Sequence, residues 1–270
     1  MPELPEVESL RRYLLREGVV DRKIETVGLE DKPSPESGTG AISGVDQLAG
    51  RTVTGIERRG KQLAAVLDNG VLGLHMGMTG QVNVLVQNEP APRFTRALFT
   101  MNSGLRMALV DPRRWAKLQY FSSLTQTFRG LGPDALESEI TGKEFAERFK
   151  GRSAQIKPLL LNQSIIAGVG NIYADEALHR VKISPARRAN DVPVIGYIEL
   201  LAAIRESLEK ALEFIANNPD DRGRPYIVDA YDDRMQLHRK SGSFCPRCEI
   251  PLVTQKFGGR TAYFCSNCQK

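Results

Sequence analysis

Apolar side chains recur at two different periods along this chain, and the change of period divides it. Between about Pro5 and Arg16, Val7, Leu10, Leu14 and Leu15 fall at helical spacing, acids crowd the start and Gly18 supplies a stop. This pattern predicts a helix. Residues 31 to 45 carry Pro, Ser and Gly without a period and read as a surface loop. From about Thr52 to Phe121 the pattern is that of strands. Ala64 to Leu67, Asp68-Asn69-Gly70 and Val71 to His75 make a hairpin signal, because Asn and Gly accept the positive φ of a tight turn. Phe94 to Met101, Asn102-Ser103-Gly104 and Leu105 to Val110 make another. Together they predict an antiparallel sandwich with the first helix packed on it.

The strand pattern stops at Gly130-Leu131-Gly132-Pro133, and helical periodicity returns at about 142–150, 153–163, 171–180 and 196–217. Residues 218–234 are polar and turn-rich, a long loop of the kind that often carries function. The fold class expected is therefore α+β multidomain. Residues 1–132 form a β-sandwich with flanking helices, 133–240 a helical domain and 241–270 a terminal hairpin.

Composition adds little until its distribution is considered. A hydrophobic fraction of 41% and a charged fraction of 26% fit a soluble globular protein. No apolar run approaches the length of a membrane span, and the acidic amino terminus lacks the apolar core of a secretory signal. The expected location is the cytosol or nucleoid, with no membrane partner. The formal charge of +5 favours an anionic partner without identifying it. From Arg239 to Lys270 six Lys and Arg stand against one acid, Glu249.

All four cysteines fall in the last 26 residues, whereas a disulfide scaffold would spread them through the fold. Cys245-x2-Cys248 and Cys265-x2-Cys268, separated by 16 residues, have the spacing of a tetrahedral thiolate site for one zinc. Four thiolates leave no open coordination position, so this zinc is structural. Between the pairs, Ile250 to Phe257, Gly258-Gly259 and Arg260 to Phe264 read as two strands and a turn. Arg260 beyond the tip is placed either to reach a phosphate or to remain a solvated side chain.

The amino terminus carries candidate chemistry. Trimming of Met1 would expose Pro2 as a secondary amine; an α-amino group ordinarily has a pKa of about 7.7–8.0, far below that of Lys, so a sizeable fraction is nucleophilic near neutrality. Attack on a sugar C1′ would expel a base and leave an iminium ion, whose fixed charge acidifies the C2′ proton and leads to strand cleavage. Glu3 and Glu6 are close in sequence as proton carriers. A structural reading of the same residues also stands: Pro2 and Pro5 shape a helix entry whose glutamates favour its positive end.

Pro2-Glu3-Leu4-Pro5-Glu6-Val7-Glu8 resembles the start of formamidopyrimidine-DNA glycosylases. The likeness continues in order through Arg58-Arg59-Gly60-Lys61, His75-Met76-Gly77-Met78-Thr79-Gly80 and Asp111-Pro112-Arg113-Arg114. It runs on through Leu131-Gly132-Pro133, Lys157-Pro158, Gly168-Val169-Gly170-Asn171-Ile172-Tyr173 and the cysteine hairpin with Gly258-Gly259-Arg260. The resemblance implies a bifunctional glycosylase and lyase acting on oxidised purines in damaged double-stranded DNA, as a monomer. It implies a helix–two-turn–helix domain followed by the zinc hairpin, with DNA in a basic cleft between two lobes. Pro2 would be the nucleophile, Glu3 the acid/base and Glu6 a contact to the opened ribose. Lys61 and Arg260 complete that group by gripping phosphates. His75, Lys157, Gly170, Asn171 and Tyr173 correspond to further DNA contacts. Asn171 would cap a helix whose amides face a phosphate, or cap it with no ligand. Met78, Arg113 and Trp115 correspond to side chains that fill the gap left by a flipped base.

The chain also departs from the family. Trp115 stands where Phe is usual, and His238 replaces a tyrosine before Arg239 and Lys240. Asp220 to Pro225 is only a loose counterpart of the loop that folds over flipped 8-oxoguanine. An endonuclease VIII-like preference for oxidised pyrimidines is one alternative, although that branch usually has Gly in place of Leu4. A lesion-binding protein without catalysis is another, and Pro2, Glu3 and Lys61 argue against it.

Overall fold

The computed structural model describes residues 2–29, 41–102, 104–225 and 235–270. Parts of the predicted 31–45 and 218–234 loops lie outside the described residues. The chain divides into two compact units. The first holds Pro2, residues from Glu6 to Arg129 and the described residues from Asn218; the second holds Glu3–Pro5, Gly130–Asn217 and the described residues of the C-terminal segment. The cysteine hairpin falls within the second unit.

The first unit is built on helix α1 (Leu4–Arg16) and strands β1 (Ile24–Gly28), β2 (Ile42–Ser43), β3 (Val53–Arg59), β4 (Gln62–Leu67), β5 (Val71–His75), β6 (Gln81–Leu85), β7 (Thr95–Met101), β8 (Arg106–Val110) and β9 (Lys117–Phe121). One sheet has the order β1-β7-β8-β6 and the other β2-β9-β5-β4-β3. Pairing is antiparallel except between β2 and β9. Both sheets send side chains into one core: Ile56, Leu63, Leu72 and Leu118 meet Phe99, Met107 and Leu109, and α1 adds Val7, Leu10 and Leu14. This is the expected sandwich.

Turn chemistry sets the hairpins. Gly70, at φ +87°, closes β4 onto β5, and Gly60, at φ +58°, opens the two-residue turn from β3 to β4. The strand expected from Phe94 begins at Thr95, because Phe94 itself takes a positive φ of 67°. Helix α2 (Leu124–Thr127), capped by Ser123, has no counterpart in the sequence pattern.

The second unit contains α3 (Gly142–Glu147), α4 (Ile156–Leu160), α5 (Asn171–Arg180) and α6 (Val194–Asn217), then β10 (Val253–Phe257) and β11 (Arg260–Phe264). A capping box between Thr141 and Glu144 starts α3. Its Phe145, with Phe149 just beyond its end, packs on Tyr197 of α6, and Phe149 is stacked at 4.6 Å between ring centroids. Helix α4 is shorter than the expected 153–163, with Pro158 tolerated in its first turn, where no intrahelical donor is lost. Among the described residues no helix is long and apolar enough to cross a membrane.

Candidate active site

In the first unit one buried carboxylate organises the approach to Lys61. Glu8 accepts from Arg11 and Arg12 on its own helix and from Arg58 Nε at 2.9 Å. Arg58 also donates to the carbonyl of Gly60, in the turn that carries Lys61. Burial alone would raise the Glu8 pKa, but the three guanidinium groups outweigh it and hold it at about 2. Pro2 and Glu6 are buried at the other end of the helix.

His75 ends β5, cross-strand from Gln62 beside Lys61. Its Nδ1 accepts the Gly77 amide at 2.9 Å, which leaves the proton of the neutral ring on Nε2. Burial, with Lys117 and Lys61 nearby, holds its pKa below the ordinary value. The imidazole is therefore a neutral donor at neutral pH.

Met78, Arg113 and Trp115 lie on two loops tied together by Asp111. That buried carboxylate accepts from Thr79 Oγ1 at 2.6 Å, the Arg113 amide at 3.2 Å and the Ala116 amide at 2.7 Å. A Cβ on Gly77 would stand 2.4 Å from the Trp115 carbonyl carbon, so only glycine allows these loops to touch. Trp115 remains 47% exposed and Arg113 is exposed.

In the second unit Glu3 lies against the start of α5. Its Oε1 accepts the Ile172 amide at 3.1 Å, and the side chain is buried. Gly170 makes the room: a Cβ there would lie 1.9 Å from the Glu3 Cδ. Gly168, at φ +107°, is fitted in the same way against Leu4. The helix cap is Gly170 rather than Asn171, which corrects the expected capping role. The Ile172 amide of that first turn faces Glu3 instead of a phosphate. Asn171 Oδ1 is buried with no hydrogen-bond partner.

Lys157 and Tyr173, expected among the DNA contacts, are fully buried. Lys157 Nζ donates to Asp175 Oδ1 at 2.6 Å and to the Thr261 carbonyl at 3.0 Å. Asp175 also accepts Arg239 Nε at 3.0 Å and the Tyr263 amide at 3.1 Å. A buried charge persists when it is fully met in this way. The consequence is positional: Thr261 and Tyr263 lie on β11, the strand that begins with Arg260. Gly258 and Gly259, both at positive φ, form the turn before it, and Arg260 is exposed. Tyr173 belongs to the helical core.

The sulfur atoms of Cys245, Cys248, Cys265 and Cys268 lie within 4.8 Å of one another. Separations of 3.9 Å from Cys245 to Cys268 and 3.5 Å from Cys248 to Cys265 suit a tetrahedral zinc, whose bonds of about 2.3 Å put sulfurs about 3.8 Å apart. The Ile250 amide brings the Cys248 thiol down to about 6, whereas Cys248 beside it pushes Cys268 up to about 12. Four thiolates this close require a cation, and the site is that of one structural zinc.

Beyond residue 217, Asp220 accepts the amides of Arg222 and Arg224, and Arg222 pairs with Glu89 within the first unit. Sequence reasoning passed over Glu8, Asp111 and Asp175. Only Glu8 left a signal, the Arg11 and Arg12 one turn further along its helix.

These features define a family of DNA-processing enzymes. Residues 1–118 match the formamidopyrimidine-DNA glycosylase N-terminal domain, 131–219 the formamidopyrimidine-DNA glycosylase H2TH domain and 242–270 the zinc finger found in FPG and IleRS. The formamidopyrimidine-DNA glycosylase of Herpetosiphon aurantiacus is 36% identical, covering all of both chains. That of Pelotomaculum thermopropionicum is 33% identical, covering all of this chain and 99% of its own. The structure of Lactococcus lactis Fpg with DNA containing an N7-benzyl-Fapy-dG superposes with a TM-score of 0.84 at 29% identity, covering all of both chains. The chain belongs to the formamidopyrimidine-DNA glycosylase family.

Proposed function

We propose that the protein is a bifunctional DNA glycosylase and lyase of base excision repair. It removes 8-oxoguanine and formamidopyrimidines from duplex DNA and acts as a monomer in the cytosol or nucleoid. The observation that carries this reading is the Glu3 carboxylate, directly after Pro2, held by the Ile172 amide over a glycine that leaves it room.

With Met1 removed, the Pro2 nitrogen attacks C1′ of the damaged nucleotide and the bond from C1′ to the base breaks, the departing base taking a proton from water. Glu3 takes the proton of the attacking amine and passes it to O4′ as the sugar ring opens. The C1′–nitrogen double bond that results is an iminium ion. It withdraws electrons as the C2′ proton leaves, so the 3′ phosphate departs, and a second elimination releases the 5′ phosphate. Water then frees the amine. Glu6 faces the opened ribose, while Lys61, His75, Asn171 and Arg260 hold phosphates. Met78, Arg113 and Trp115 occupy the space of the extruded nucleotide.

The test is cleavage of duplexes carrying 8-oxoguanine, formamidopyrimidine, dihydrouracil or an abasic site, with and without borohydride. Cutting together with a trapped adduct at Pro2 is expected, with the purine lesions ranked first. Binding without cutting or trapping would leave a lesion-binding protein; dihydrouracil ranked first would make it a pyrimidine enzyme.

A further inference from the structure

We propose that the outer face of the five-stranded sheet carries a second phosphate-ester site, continuous with His75 and centred on Lys117 and Arg129. As an extension of the DNA path it rests on the proposed function. Along β4, β5 and β9, alternate residues Leu63, Leu72 and Leu118 point into the core, so Gln62, His75 and Lys117 share the opposite face. They form one cross-strand row, Gln62 opposite His75 and His75 opposite Lys117. The next row pairs Gly73 with Gln119. Gly73 lets α2 close down on the sheet, since a Cβ there would stand 2.9 Å from Thr127 and 2.8 Å from Phe121.

Between the His75 row and α2 lies a cavity of about 450 Å³, lined by Gln62, His75, Lys117, Gln119, Gln126 and Arg129 among others. Its lining contains no carboxylate. Neither the Lys117 ammonium nor the Arg129 guanidinium makes a hydrogen bond or ion pair among the described residues, and both are exposed. Most other cations of this unit are engaged: Arg11, Arg12 and Arg58 on Glu8, Arg222 on Glu89, Arg106 on a backbone carbonyl. Two uncompensated cations, a neutral imidazole donor and the amides of Gln62 and Gln119 offer donors and positive charge to a small anion. A phosphate ester supplies the complementary acceptors. Its source is the next phosphodiester of a strand already held at His75, or a free nucleotide.

The experiment uses the full zinc-loaded protein and the Lys117→Gln/Arg129→Gln variant. Duplexes carry one abasic-site analogue and extend either only 5′ or only 3′ of it. Each phosphate contact contributes about 0.9 to the slope of log affinity against log salt. On one extension, wild type is expected to lose about 12-fold more affinity than the variant between 50 and 200 mM salt, as two lost contacts require. In parallel, inorganic phosphate and a deoxynucleoside monophosphate are titrated against the His75 ring resonance, readily assigned among three histidines. Equal slopes with a saturable His75 shift that the variant abolishes would make the occupant a free phosphate ester. Equal slopes and no shift overturn the site. Borohydride trapping at Pro2, read with the same proteins on duplexes carrying a true abasic site, separates the two ideas: its loss sinks the glycosylase reading, and its presence beside equal slopes and an unmoved His75 sinks this one alone.

Discussion

Replacing Glu8 with Gln withdraws a negative charge from beneath three guanidinium groups while keeping the shape of the side chain. Glu8 and Arg58 are both completely buried, whereas Arg11 and Arg12 are 25% and 58% exposed. The folded-state pKa of about 2, against an ordinary 4.5, corresponds to roughly 3 kcal/mol at about 1.4 kcal/mol per unit. Solvent screening of the two outer arginines discounts this to about 2 kcal/mol, and stranding the buried Arg58 adds to it. The expected loss is about 2–4 kcal/mol, or a melting temperature about 5–15 °C lower at neutral pH. The sign of the pH dependence follows from the depressed pKa. The stabilisation is complete above about pH 4.5 and disappears as pH falls toward about 2. Melting of both proteins at a series of pH values, read as the difference between them, isolates this group from other carboxylates. The gap should be full at about pH 6 and less than half as large at about pH 3. A gap that does not change with pH would refute the electrostatic origin, and no gap would refute the role of Glu8 altogether.

Three further outcomes follow from the same structure. Gly170→Ala places a methyl group where the Glu3 carboxyl lies, so base release should fall at least 100-fold in single-turnover assays while damaged-duplex binding changes little. Asp175→Asn removes the charge that Lys157 and Arg239 share, and should cost about 3 kcal/mol in denaturant unfolding and loosen amide exchange across β11. Chelation of zinc should abolish the fold of the hairpin, seen as lost amide protection from Val253 to Phe264, and weaken DNA binding at least 10-fold. Readdition of zinc should restore both.

Much of the fold was legible because local chemistry agreed with it. Asp68-Asn69-Gly70 and Gly258-Gly259 specify their turns almost alone, and α5 begins and ends where its pattern predicts. Strand β2 was not legible, since two residues show no period and its partner β9 is more than seventy positions away. The amino-terminal and cysteine motifs pointed to Glu3 and the metal site, but the supporting charges were hidden. Glu8 meets Arg58 across 50 positions and Asp175 meets Tyr263 across 88. A lysine in a sequence reads as exposed by default, and only the Asp175 and Thr261 partners reveal why Lys157 is buried.

The bond from the Ile172 amide to Glu3 spans 169 positions, and this separation has a consequence during synthesis. A ribosome adding about 5–20 residues per second needs about 10–30 s to pass from the first of these residues to the second. For that interval the Glu3 carboxylate has no seat on α5. The clasp of Lys157 on Thr261 closes later still, since Thr261 is synthesised well after Ile172. On the proposed function, an arrested or prematurely terminated chain would bear the Pro2 nitrogen without the means to use it. On the same reading, long-range closure would confine strand cutting to finished molecules, and a cell holding many nascent copies would carry no corresponding load of unfinished nucleases.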